Sequence, residues 1–303
     1  MIIEKFKKIS PQLLLNEPMS KHTTFRIGGP ADVFISVSDE SELTAVIKEA
    51  KTQNVPFMIM GNGSNMLVGD KGIRGLVIQI AGAMSEYEIS GTTIKAQAGI
   101  LMSKLAAAAL KAGLTGFETL SGIPGTLGGG IFMNAGAYGG ELKDIIKSVT
   151  YIDDEGHINT IDNSECEFGY RKSVFSGGGK YILSAVLELK KGDEAEIRRL
   201  MADYNKRRSD KQPLNLPSAG STFKRPEGYF AGKLIQDAGL MGCSIGGAQV
   251  SEKHAGFVVN KGGATAKDVL DLIVYVQKTV YEKYGVNLET EVRLIGEQPA
   301  CGL

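Results

Sequence analysis

Apolar residues recur along this chain with two periods, and the switching between them predicts an α+β fold. Residues 32–37 (DVFISV) concentrate β-branched and aromatic side chains and read as a strand. Asp39 and Glu42 then stand three apart in a capping-box pattern. Leu43, Val46, Ile47 and Ala50 follow at helical spacing until Asn54 and Pro56 end the helix. VPFMIM is a short buried strand that runs straight into Gly61, so the unit is strand, helix, strand, glycine loop. Residues 76–80 and 87–98 read as further strands, LMSKLAAAALKAG as a helix stopped by Gly113, and residues 149–153 and 181–190 as strands.

A long helix is expected from Asp193, with Glu196 completing a second capping box and Ile197, Leu200, Met201 and Tyr204 on its apolar face. It ends in Lys206, Arg207 and Arg208, a basic run favourable at a helix C-terminus. The stretch SDKQPLNLPSAGST then shifts to turn residues and marks a boundary near Pro213. Beyond it come a short helix ending at Gly239 and a longer one from Thr265 to Gly285, with Val269, Leu272, Ile273 and Val276 on one face. NLETEVRLIG reads as a last strand, which would set Glu289, Glu291 and Arg293 on one face.

Charge removes some function classes. Lys and Arg number 34 and so do Asp and Glu, giving a formal net charge of zero. A dedicated nucleic-acid binder shows a basic excess, so none is expected as a partner. No uninterrupted apolar stretch approaches transmembrane length, and the charged N-terminus does not read as a signal peptide, so no membrane partner and a cytoplasmic location are expected. Cys166, Cys243 and Cys301 are widely spaced and form no CxxC pair, which suits reduced thiols. With only His22, His157 and His254 available, no metal site is expected.

The 39 glycines are high for 303 residues, and they cluster. Residues 121–140 (SGIPGTLGGGIFMNAGAYGG) hold eight of them, and residues 61–75 hold five. A glycine loop after a strand lets backbone N–H groups converge on phosphate oxygens without Cβ interference. In GNGSN (Gly61, Asn62, Gly63, Ser64, Asn65) the two polar side chains after Gly63 add donors. The loop lacks the third glycine of a dinucleotide fingerprint and the Lys-Ser/Thr pair of a P-loop, so taken alone it fits a phosphate cradle or a structural turn. The second, longer loop favours the cradle, because loops this long in compact domains are usually functional.

Six blocks, in order, carry a resemblance that covers nearly the whole chain: HTTFRIGGPAD from His22, GNGSNML from Gly61, SGIPGTLGGGIFMNAGAYGGE from Ser121, FGYRKSVF from Phe168, PSAGSTFKRP from Pro217 and LETEVRLIG from Leu288. The chain resembles the UDP-N-acetylenolpyruvoylglucosamine reductase family, in the shorter subtype without an extra tyrosine-bearing loop. The resemblance implies an FAD-binding domain of the vanillyl-alcohol-oxidase type plus a smaller C-terminal α/β substrate-binding domain. It places the FAD-binding region at residues 1–208, completed by a C-terminal strand at 287–303, and the substrate domain at 209–286. It implies noncovalent FAD, NADPH as reductant and a UDP-sugar enol ether as substrate; His22 is then structural or hydrogen-bonding, not a flavin attachment point.

Residue by residue, the resemblance implies cofactor contacts at Gly61, Asn62, Gly63, Ser64, Asn65, Ser121, Pro124, Gly125, Gly128, Asn134, Gly136, Ala137 and Arg293. It implies substrate contacts at Tyr170, Lys211 and Arg225, and catalytic roles for Ser221, Arg171 and Glu291. Adding hydride to the β-carbon of the enol ether leaves an enolate-like charge that needs a cation, a hydrogen-bonding acid and a proton donor. Arg171 matches the first, Glu291 the second and Ser221 the third. Two other readings stay open on residues alone: a different oxidoreductase on the same flavin domain, and a nucleotide-binding module without catalysis.

Overall fold

The computed structural model describes residues 2–298, so Cys301 and the end of the expected C-terminal strand lie outside the described residues. The chain forms two compact units. The first comprises Met1–Leu14, Phe34–Asn62 and Leu76–Arg208; the second comprises Leu15–Val33, Gly63–Gly75 and Ser209–Leu303. The compact units are thus drawn differently from a single boundary at residue 208, with the segments 15–33 and 63–75 grouped with the C-terminal part.

The first unit is built on a five-stranded antiparallel sheet in the order Ile158–Asp162, Ile146–Asp153, Lys180–Glu188, Thr93–Gln97, Tyr87–Ser90. The expected single strand over residues 87–98 is a hairpin, because Gly91 turns the chain at φ +63° between its two halves. The strand Ile158–Asp162 carries no apolar run. Its burial alternates along an edge of the sheet, so only its pairing with Ile146–Asp153 makes it a strand. The helix Glu40–Thr52 forms as its pattern predicts: Asp39 accepts the Glu42 N–H at 2.8 Å, and Leu43, Val46, Ile47 and Ala50 are buried. Strand Phe57–Met60 pairs in parallel with Leu76 through Gln79 and leads directly into Gly61. The helix Glu194–Lys211 begins on an Asp193 cap, but of its expected apolar face only Ile197 is buried.

The second unit packs the helices Ala231–Asp237 and Ala266–Tyr284 against a three-stranded antiparallel sheet, Ser244–Ile245, Ala248–Val250 and Val258–Asn260. Val269, Leu272, Ile273 and Val276 enter one core with Phe25, Ile27, Leu67, Phe223 and Val292. Two devices fix the long helix at its start. Thr265 and Asp268 form a capping box, and Asp70 reaches it across nearly two hundred residues of sequence. The Asp70 carboxylate accepts the N–H groups of Ala266 at 2.7 Å and Lys267 at 3.0 Å. Those donors would otherwise lack partners, and a carboxylate there also meets the positive end of the helix dipole.

The expected last strand is shorter than its sequence pattern. Only Arg293–Ile295 is strand, paired in parallel with Met66–Val68, and the chain bends at Val292. Glu289 and Arg293 therefore do not continue one strand face with Glu291, and Glu289 pairs instead with Lys224 at 2.9 Å. Replacing Asp70 with Ala is expected to lower the unfolding free energy by about 2 kcal/mol, two charge-assisted hydrogen bonds being lost. Chemical denaturation checks this; a change below about 0.5 kcal/mol, the range of an ordinary surface substitution, would contradict the capping role.

Candidate functional site

In the first unit the two glycine loops are tied together. The Asn62 side-chain amide donates to the Pro124 carbonyl at 2.7 Å. A Cβ at Gly61 would stand 2.2 Å from Thr126 Oγ1, so glycine is required there by protein packing. The same is true of Gly128, whose Cβ would come within 2.9 Å of Ala98 Cβ, and whose N–H donates to the Ala98 carbonyl. The N–H groups of Gly122 and Gly125 differ: they donate to no acceptor among the described residues. Ser121 is buried and its hydroxyl is committed to the Glu118 carbonyl at 2.8 Å.

Asn134 organises the rest of this loop. It is fully buried at φ +42°, a left-handed conformation that asparagine tolerates better than most residues. Its Nδ2 donates to Glu141 Oε2 at 3.1 Å and to the Gly169 carbonyl at 3.0 Å, while its Oδ1 accepts the Lys143 N–H at 3.0 Å. The side chain thus joins residues 141–143 to the turn that presents Tyr170 and Arg171. Gly136 and Ala137 form a short pair with Glu141 and Gly140. Arg171, at φ +55°, donates from Nη2 to the Gly136 carbonyl at 3.2 Å, and its guanidinium lies 5.0 Å from the exposed Tyr170 ring. Arg171 is thereby held by the very loop that the sequence assigned to the cofactor.

In the second unit Ser221 and Glu291 are neighbours through their backbones. Residues 222–224 run antiparallel to 289–291: the Thr222 carbonyl accepts the Glu291 N–H at 2.8 Å, Phe223 bridges Thr290, and Lys224 N–H donates to the Glu289 carbonyl at 2.8 Å. Thr222 is buried and secured on its other sides. Its N–H donates to the Gly256 carbonyl at 2.8 Å and its Oγ1 accepts the Val258 N–H at 2.9 Å. Ser221, half-buried, follows Gly220 at φ +76°, and its hydroxyl has no hydrogen-bond partner among the described residues.

Asn65 belongs to the same cluster. Its Nδ2 donates to the Glu291 carbonyl at 3.2 Å and its own carbonyl accepts the Arg293 N–H at 3.0 Å. Desolvation draws the Arg293 guanidinium below the usual arginine pKa. The N–H groups of Gly63, Ser64 and Asn65 donate to no acceptor among the described residues. Three successive such donors around a glycine at φ +59° are the backbone arrangement that phosphate oxygens accept from, so this loop fits an FAD pyrophosphate.

Arg225 lies on the Phe230 ring at 3.9 Å and donates to the Tyr229 carbonyl at 3.4 Å. Lys211 is exposed, and its charge helps, after burial, to hold the His254 pKa below the ordinary histidine value. His22 pairs with Glu17 at 3.0 Å, a contact that holds the Glu17 carboxyl below the usual carboxylate range. No group of three or more His, Cys, Asp or Glu among the described residues could hold a metal ion, and no helix among them is long and apolar enough to cross a membrane.

Thr222, Glu141 and Asp70 escaped the sequence reading. Thr222 sits beside Ser221 in the same block and carries no motif of its own; only its partners, more than thirty residues away in sequence, give it a role.

Replacing Asn134 with Ala removes three hydrogen bonds around a buried side chain and leaves the Lys143 N–H without its acceptor, and is expected to cost about 1–3 kcal/mol of stability by denaturant unfolding. Replacing it with Asp should cost no less, since an oxygen would then face Glu141 and the Gly169 carbonyl. A loss below about 0.5 kcal/mol for both variants would contradict the network.

Known proteins resemble the chain over both units. Residues 212–295 match the family described as UDP-N-acetylenolpyruvoylglucosamine reductase, C-terminal domain, and residues 31–162 match an FAD binding domain. A UDP-N-acetylenolpyruvoylglucosamine reductase of Clostridioides difficile is 56% identical over 93% of this chain and 93% of its own length. The crystal structure of the reductase from Thermus caldophilus superposes with a TM-score of 0.81 at 36% identity, covering 94% of this chain and 98% of that one. A variant of the glucose oxidase Phl p 4 shares the fold alone, with a TM-score of 0.50 at 14% identity over 64% of this chain and 44% of that one. The fold is α+β, with an FAD-binding domain of the vanillyl-alcohol-oxidase type.

Proposed function

The chain belongs to the UDP-N-acetylenolpyruvoylglucosamine reductase family, and we propose that it reduces the enolpyruvyl C=C of UDP-N-acetylglucosamine enolpyruvate to UDP-N-acetylmuramate in the cytoplasm, with NADPH as electron source. FAD bound to the chain would supply the hydride-transfer chemistry between NADPH and the β-carbon of the substrate. The backbone donors of Gly63, Ser64 and Asn65 in the second unit, and separately those of Gly122 and Gly125 in the first, are each of the kind that its phosphates accept from. Arg293 would supply a cation toward the cofactor.

The remaining chemistry falls to side chains. Bond formation at the β-carbon pushes the π electron pair toward the α-carbon and the carboxylate. Arg171 offers a planar guanidinium that can clamp that carboxylate with two hydrogen bonds. The Ser221 hydroxyl gives its proton to the α-carbon, completing the C–H bond, and regains one from solvent. Glu291 in its protonated form would donate a hydrogen bond to the charge-bearing end, or else orient the donor. Serine is a weak acid, but an enolate-like carbon is a strong base, so the transfer can run downhill. Tyr170, Lys211 and Arg225 are assigned to the UDP-sugar, with the two cations suited to its diphosphate. The observation that carries this reading is the Ser221 hydroxyl, half-buried and uncommitted to protein partners in a segment hydrogen-bonded to Glu291.

In rapid-mixing experiments, Ser221→Ala should keep the rate of flavin reduction by NADPH and lose at least about a hundredfold in reoxidation by the enolpyruvyl substrate, the scale of one positioned acid. Equal loss in both half-reactions would contradict the proton-donor role. Fast reoxidation by O₂ with no affinity for UDP-sugars would favour an oxidase on the same fold.

A further inference from the structure

The helix Glu194–Lys211 carries adjacent arginines with different surroundings. Arg207 behaves as a surface residue, pairing with Asp203 at 2.7 Å. Arg208 has neither a carboxylate partner nor a hydrogen bond among the described residues. It is nonetheless half-buried, and desolvation holds its pKa below the usual arginine value. An unpaired cation removed from water is destabilising, and such groups persist where an anion completes them.

The surroundings of Arg208 name the kind of anion. Its side chain lies on Gly122: a Cβ built there would stand 3.1 Å from Arg208 Cδ and 3.5 Å from Nη1. Any larger residue at 122 would also meet Asn205 Oδ1 at 2.8 Å. Glycine thus lets the guanidinium approach a backbone segment whose Gly122 and Gly125 N–H groups have no acceptor among the described residues. Beside it the Tyr138 and Tyr204 rings stack at 5.0 Å. Attraction of a cation to a helix C-terminus explains a basic residue at 208, but not a half-buried guanidinium laid on Gly122 with no partner among the described residues.

We infer that Arg208, together with the Gly122 and Gly125 N–H groups, binds a phosphoanion, the pyrophosphate of FAD being the source that its place on the second glycine loop favours. The inference rests on the FAD reading above, although the same chemistry would accept the diphosphate of a UDP-sugar or a phosphate of NADPH.

The test compares wild type, Arg208→Met and Arg208→Lys, each stripped of flavin and titrated with FAD while flavin fluorescence is followed. Each loaded enzyme is then titrated with UDP and with NADPH. Arg208→Met should weaken one phosphate ligand by roughly tenfold or more, and Arg208→Lys by less, since it keeps the charge and loses the planar fork. Loss on the FAD arm identifies the cofactor pyrophosphate; loss confined to the UDP or NADPH arm assigns the site to that ligand instead. Thermal unfolding of the flavin-free proteins separates binding from structure: Arg208→Met should match or exceed wild type, because a desolvated charge is gone. Unchanged affinity on all three arms, or a flavin-free Arg208→Met with a clearly lower midpoint, would overturn the inference. A wild type that takes up no FAD would defeat the cofactor reading, and direct UDP and NADPH titrations of that protein would still decide the role of Arg208.

Discussion

The backbone pairing of residues 222–224 with 289–291 is the contact on which the placement of Ser221 and Glu291 in the second unit depends. It joins Ser221 to Glu291 across seventy positions of chain, and it is closed on all sides: Gly256 and Val258 hold Thr222, and Asn65 holds both Glu291 and Arg293. Each bond alone contributes about 1 kcal/mol, but in a buried cluster the loss of one leaves its partner unsatisfied. The hydroxyl of Ser221 is left out of this network and has no hydrogen-bond partner among the described residues.

The first unit solves a parallel problem with a side chain. Asn134 spends both donors and its acceptor on protein groups, so its role in the structure is to fix the turn at 169–171 relative to the loop at 136–143. The left-handed backbone at Asn134 and at Arg171 is held by that network and by the Arg171 contact to Gly136. Glycine enrichment, too, divides into two physical causes. Gly61 and Gly128 are glycine because another part of the protein fills the Cβ position. Gly63, Gly122 and Gly125 have N–H groups without acceptors among the described residues, which suits phosphate binding.

Local chemistry made much of the fold readable in advance. The caps at Asp39, Asp193 and Thr265 and the stop at Gly285 are written within a few residues of the helix ends they govern. Elements set by distant partners were not readable. The strand Ile158–Asp162 needs its neighbour, the end of NLETEVRLIG is split between two partners, and Asp70 caps a helix far along the chain. The candidate site followed the same rule: the six sequence blocks pointed to Ser221, Arg171 and Glu291, while Thr222 is held by distant partners and Arg208 lies on Gly122, neither of which a motif shows.

The most direct measurement of the account is the anaerobic visible absorbance of the purified protein, first alone, then with NADPH, then with UDP-N-acetylglucosamine enolpyruvate. The account predicts flavin bands that bleach with NADPH and return, in stoichiometric amount, only when the enolpyruvyl substrate is added. A colourless protein that cannot be loaded with FAD, or bands that NADPH bleaches and the substrate fails to restore, would contradict it.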